Sequence, residues 1–183
     1  MNQITKNIFL GDWGSSVNPQ LLYQNNIKYV LGINTQMKSQ NELKNYRQMD
    51  ITNMHIKEFD IPETNLYRYF DKTNKFIHNA VLDNKNILVH CTMGISRSTT
   101  IIIAYLLWSY YIYDKRVNKH GLTQAEVGIY KKQYKLKDII KYIQYRRPQI
   151  NPNIGFIKQL NAYEKTLIEY LIKQKNKIKC III

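Results

Sequence analysis

His90, Cys91, Gly94, Ser96, Arg97 and Ser98 fall within one short polar stretch between two apolar runs, ILVHCTMGISRSTTIIIAYLL over residues 87–107. The first run reads as a buried strand and the second as a buried helix, so the polar residues form the loop between them. A loop that only turned the chain would not bury a thiol beside a guanidinium. At a helix N-terminus, free N–H groups and the helix dipole favour an anion. The same field favours thiolate over thiol, which makes Cys91 a better nucleophile than a free cysteine. Five residues between Cys91 and Arg97 can wrap a loop whose amides point inward as a nest for a tetrahedral oxyanion. Arg97 adds a planar fork that fits two oxygens of one phosphoryl group. Gly94 permits a left-handed turn where the loop must approach its ligand closely. The stretch reads as a phosphoryl cradle over a nucleophilic sulfur.

The elements that must position this loop alternate along the chain. Residues 6–10 read as a short strand, 11–16 as a loop, and 19–25 as a short helix capped by Asn18 with Pro19 in its first position. Residues 27–34 (IKYVLGIN) and 54–59 read as strands. Leu66, Tyr69, Phe70, Phe76, Ile77, Ala80 and Val81 recur at helical spacing, which predicts an amphipathic helix over 66–82. The strand at 87–90 and the loop lead into a helix over 98–113, followed by helices over 136–146 and 153–173. Pro148 ends the former, and Asn153 caps the latter. Residues 114–134 are basic and irregular and read as an insertion. The alternation predicts an α/β layered fold.

A chain of 183 residues with 44% hydrophobic and 12% aromatic residues, including 15 Tyr, suits one folded domain and excludes disorder. The net charge of +14 favours acidic partners: phosphorylated substrates, an anionic membrane surface or nucleic acid. Cys91 and Cys180 are the only cysteines. Two thiols make no disulfide framework, which points to a reducing, cytoplasmic compartment. The start MNQITKNIFLGDWG lacks the basic and apolar regions of a signal peptide, and the longest apolar run, residues 101–108, is too short to span a bilayer. None of the four His lies at metal-ligand spacing from another, so neither metal nor cofactor is expected.

HCTMGISRS resembles the HCxxGxSRS signature of the dual-specificity protein phosphatases, within the cysteine-dependent protein tyrosine phosphatase superfamily. ITKNIFLGDWGSSVNPQLLYQNNIKYVLGIN is similar to that family's opening, FDIPETNLYRYF to the segment carrying its general acid, and RRPQINPNIGFIKQL to its Arg-Pro turn and closing helix. The resemblance implies a single-domain protein-tyrosine-phosphatase-like fold, a central mixed sheet flanked by helices. It implies that Cys91 attacks phosphorus to form a phosphocysteine. Arg97 and the amides of Thr92, Met93, Gly94, Ile95 and Ser96 would bind the phosphoryl oxygens. Ser98 would help the thiolate leave, and His90 would orient the loop. Among the neighbouring carboxylates Glu58, Asp60 and Glu63, the resemblance selects Asp60 as the general acid. The implied reaction is hydrolysis of phosphotyrosine and phosphoserine or phosphothreonine in protein partners.

Residues 1–170 are read as the catalytic domain, with 114–134 departing from the family pattern, and 171–183 as a basic tail. Cys180-Ile181-Ile182-Ile183 fits a prenylation pattern, with Lys173, Lys175, Lys177 and Lys179 upstream to meet an anionic leaflet. That tail predicts peripheral attachment to the cytoplasmic face of a membrane. Alternative substrates are phosphoinositides and the 5′ end of RNA. Against the lipid, the loop holds no lysine to grip further ring phosphates. Against RNA, and nucleic acid in general, no interleaved basic and aromatic motif is found. A non-catalytic phosphoprotein-binding module is a third alternative. It would call for loss of Cys91, Arg97 or Asp60, and all three are present.

Overall fold

The computed structural model describes residues 1–113 and 135–179. Strands β1 (Asn2–Gln3), β2 (Ile8–Gly11), β3 (Ile27–Ile33), β4 (Thr52–Ile56) and β5 (Asn86–His90) form one sheet in the order β1-β2-β5-β3-β4. β2, β5, β3 and β4 run parallel, and β1 joins antiparallel at the edge. Parallel strands need both faces covered, and β5 supplies apolar residues to both. Ile87 and Val89 enter one core while Leu88 enters the other, as the two-residue period of a strand requires. Each of the three is fully buried, worth about 1.5–3 kcal/mol per side chain.

The larger core lies under helices α4 (Phe70–Leu82), α5 (Arg97–Trp108), α6 (Leu136–Arg146) and α7 (Ile154–Lys179). On the opposite face, α1 (Trp13–Val17) packs on β2 and β5. There α2 (Pro19–Gln24) and α3 (Gln40–Gln48) cover Phe9, Val30 and Leu88 with Leu22 and Tyr46. Every residue of α5 from Arg97 to Leu107 is buried, which explains its apolar sequence on all sides. Since β5 lies between β2 and β3, its carboxyl end and the N-terminus of α5 meet at the centre of the sheet, where ligands of open α/β sheets bind.

Several expected elements differ in detail. The loop expected at 11–16 contains α1, started by Asp12, whose carboxylate accepts from the Ser15 amide at 2.8 Å. No element was assigned to residues 40–48, yet Ser39 and Glu42 form a reciprocal capping box that begins α3. β4 ends at Ile56 rather than at residue 59, because the chain then leaves the sheet to carry Asp60 across the loop. The helix expected over 66–82 begins as a 3₁₀ turn, Tyr67–Tyr69. That expected over 98–113 is α5 followed by a π turn, Ser109–Tyr113. The last helix extends past residue 173 to Lys179. The insertion read at 114–134 and Cys180 both lie outside the described residues. Among the described residues no helix is long and apolar enough to cross a membrane.

Candidate active site

Between β5 and α5, successive carbonyls of the loop are tied outward. Thr92 O accepts from the Trp13 amide at 3.1 Å, and Ile95 O from the Asn151 amide at 3.0 Å. Met93 O and Gly94 O accept from Arg147 Nη2 and Nε at 3.1 and 2.8 Å. His90 Nδ1 lies 3.3 Å from Cys91 O. With carbonyls 91–95 held outside, the Gly94 amide donates to the sulfur and the Ile95 and Ser98 amides act on it, the geometry of an anion nest. Gly94 has φ +66°, and a Cβ there would collide with the Gly11 carbonyl. Only glycine fits both constraints.

Cys91 is buried at the base of this nest. Its Sγ accepts from the Gly94 amide and from the Ser98 hydroxyl, each at 3.2 Å. Burial pushes the thiol pKa up. The Ser98 hydroxyl, the Ser98 and Ile95 amides and the Arg97 charge outweigh it, so the net shift is downward, towards thiolate. His90 is driven by burial to a pKa of about 3, so it stays neutral.

Arg97 is buried and points across the loop mouth. Nη1 donates to Glu58 O at 2.8 Å and Nη2 to Thr92 Oγ1 at 3.1 Å. Nε lies 3.3 Å from Asp60 Oδ2, yet makes no hydrogen bond, so this contact is an ion pair by proximity alone. Asp60 Oδ1 accepts from Ser96 Oγ at 2.6 Å and from Asn153 Nδ2 at 3.0 Å. The other two carboxylates lead elsewhere. Glu58 pairs with Arg68 and accepts from Tyr69 Oη at 2.8 Å, and Glu63 is exposed.

The structure thus brings His90, Cys91, Arg97, Ser98 and Asp60 together around one nest, with Thr92 to Ser96 forming its wall. Two contributors were given no site role from the sequence. Arg147, buried and bound to two loop carbonyls and to Asn2 Oδ1, sits in the Arg-Pro turn, and no local feature marks it as a loop brace. Asn153 caps α7 by accepting from the Phe156 amide at 3.0 Å while its Nδ2 holds Asp60. The cap was legible from the sequence and the second bond was not. Among the described residues no cluster of His, Cys, Asp and Glu could hold a metal ion.

A mixed sheet whose parallel strands deliver a cysteine-centred oxyanion nest to a helix N-terminus defines the protein-tyrosine-phosphatase-like fold. The model of the dual specificity phosphatase catalytic domain matches residues 8–116. Dual specificity protein phosphatase 1B of Arabidopsis thaliana is 32% identical over 167 residues, 91% of this chain and 83% of the relative. Dual specificity protein phosphatase 1 of the same plant is 29% identical over 164 residues, 90% and 69% of the two chains. The crystal structure of human tyrosine phosphatase-like serine/threonine/tyrosine-interacting protein aligns at 28% identity with a TM-score of 0.70, covering 92% of this chain and 97% of that one. This chain belongs to the dual specificity phosphatase family, as a small, atypical member. It is a phosphatase.

Proposed function

We propose that the chain hydrolyses phosphotyrosine and phosphoserine or phosphothreonine in proteins through a phosphocysteine intermediate. The observation that carries this reading is the outward binding of loop carbonyls 91–95, which leaves the amides and Arg97 facing Cys91 Sγ. In the first step the Cys91 thiolate forms the S–P bond as the P–O bond to the substrate breaks. Protonated Asp60 gives its proton to the departing alkoxide or phenoxide. The inward amides and the unbonded Nε–H of Arg97 stabilise the equatorial oxygens. In the second step Asp60 takes a proton from water, water oxygen bonds to phosphorus, and the S–P bond breaks. The Ser98 hydroxyl, already 3.2 Å from Sγ, stabilises the leaving thiolate.

A protein substrate is supported by what borders the loop. Phe59 and Ile61 flank Asp60, Met93 lies in the loop, and Ile154 follows Asn153. All four are exposed, Met93 by 65%. An apolar border suits a peptide side chain better than a polyanionic headgroup, which needs surrounding cations. The test is phosphate release from a peptide carrying phosphotyrosine and phosphothreonine, beside a phosphoinositide in mixed micelles and a 5′-triphosphorylated RNA. We expect kcat/KM on both peptide residues to exceed that on lipid and RNA by at least about tenfold, a difference of 1.4 kcal/mol. Higher turnover of lipid or RNA would replace the protein reading.

For the tail we propose attachment to an anionic membrane, supported by Cys180 and the lysines at 173, 175, 177 and 179. Where Ile183 carries the terminal carboxylate, Cys180 is placed for an isoprenoid thioether. Intact-mass measurement on protein recovered from its native cells is expected to show the isoprenoid mass, absent in Cys180→Ser. An unmodified mass in the wild type would end this reading.

A further inference from the structure

Among the described residues, Lys38 is a cation packed into the loop's supports that the chemistry above leaves unused. It lies beyond β3, half-buried, with Nζ 4.5 Å from the Trp13 ring centroid and 5.4 Å from that of Tyr46, within the range of cation–π attraction. Nζ is also 3.2 Å from His90 Nε2. Among the described residues no carboxylate comes within ion-pair distance of it. An ammonium has donors and no acceptor, so Nε2 must accept and the imidazole proton must sit on Nδ1. Nδ1 in turn lies 3.3 Å from the Cys91 carbonyl, an acceptor only. The two contacts therefore demand the same tautomer. The ring has room because β3 offers Gly32 opposite it. A Cβ at that position would lie 2.8 Å from His90 Nε2.

We propose that Lys38 is a positioning residue for the phosphate loop, holding His90 in its Nδ1–H tautomer so that the Cys91 carbonyl stays tied outward. The chain of contacts runs from Lys38 through His90 to the backbone of the nucleophile. A neutral imidazole without Lys38 exchanges between tautomers, and the Nε2–H form turns a lone pair towards the Cys91 carbonyl. Repulsion between two acceptors then loosens the first tie of the nest. Burial depresses Lys38 to a pKa of about 8, with Glu42 of α3 pulling upward. Asp12 at the start of α1 and His55 of β4 are the other titratable groups that act on His90. The catalytic consequence rests on the phosphatase reading, whereas the tautomer does not.

Long-range ¹H–¹⁵N spectra of the full chain, labelled at histidine nitrogens, separate the two. In the wild type we expect a protonated Nδ1 and a bare Nε2 on His90, with the Nε2 resonance moving near pH 8 as Lys38 loses its charge. Lys38→Met is expected to abolish that step and mix the tautomers. Lys38→Arg should keep the tautomer but lose the step. With p-nitrophenyl phosphate, Lys38→Met should lower kcat/KM about 10- to 100-fold, the scale of a small displacement of a reacting group, and Lys38→Arg should restore most of it. Lys38→Met removes a half-buried ammonium but also the donor to His90 Nε2, so the melting temperature of each variant is read beside its rate. An Nε2–H tautomer in the wild type would overturn the proposal. So would an unchanged tautomer and rate in Lys38→Met, or a rate loss that follows the melting temperature without rescue by arginine. A wild type without turnover would sink the phosphatase reading and leave the spectra to decide the tautomer.

Discussion

Cys91→Ser is expected to lower phosphate release by about 10⁴-fold or more while leaving the fold and ligand binding in place, as loss of a covalent nucleophile does elsewhere. Serine keeps the loop's shape, and the Gly94 amide and Ser98 hydroxyl that now meet Sγ at 3.2 Å can still donate to an oxygen. What is lost is a group whose surroundings favour its ionised form. The sulfur has a pKa lowered against its own burial, and a serine hydroxyl under the same field stays protonated. Binding of a phosphotyrosine peptide to Cys91→Ser should stay within a few-fold of wild type, because the amides and Arg97 hold the phosphoryl group.

The pH dependence tests the same cause. Iodoacetamide should label Cys91 half-maximally below the usual thiol pKa, since the folded-state value is depressed. Ser98→Ala removes a stabiliser of the thiolate and should move that midpoint upward. A depressed folded pKa also means that ionisation of Cys91 adds stability above the folded value and that this contribution falls away as pH drops through it. Substantial turnover by Cys91→Ser would require a pathway without phosphocysteine.

Asp60→Asn carries the second large effect, and it depends on the leaving group. Asparagine keeps a carbonyl oxygen for Ser96 Oγ and Asn153 Nδ2, which now bind Oδ1 at 2.6 and 3.0 Å. It removes the proton that the departing oxygen needs. On phosphothreonine and other alkyl phosphates, kcat should fall about 10²- to 10⁴-fold, the usual worth of general acid catalysis. On p-nitrophenyl phosphate, whose phenolate leaves without help, the loss should be within about tenfold. Equal losses on both substrates would reduce Asp60 to a support for Ser96 and Arg97.

Much of the fold was legible because its periodicities are local. The run at 87–90, the apolar helix behind the loop and the amphipathic helix after residue 66 each announce themselves within a few turns of chain. α1 stays hidden in the sequence because its five residues, WGSSV, carry no apolar period, and its start depends on the Asp12 cap. The capping box at Ser39 and Glu42 was a readable signal for α3, but the segment's polarity gave it no apolar face to confirm it. The strand reading over 54–59 overshoots β4 because Phe59 looks like a strand residue, although it flanks the bend that places Asp60.

The sequence by itself determined that a cysteine, an arginine and the loop between them lie together, because Cys91 to Ser98 is one contiguous segment whose spacing limits what its backbone can enclose. It could not choose among Glu58, Asp60 and Glu63 without the family resemblance, since all three are carboxylates on one short segment. Only the tertiary structure sets the three apart by position, bringing Asp60 to Ser96 across 36 positions and to Asn153 across 93, while Glu58 pairs with Arg68 and Glu63 stays exposed. It also set Arg147 on loop carbonyls 53 and 54 positions away, and Lys38 on His90 across 52. Contacts at such separations arise from how the sheet orders its strands and where each helix returns, and no local spacing encodes them.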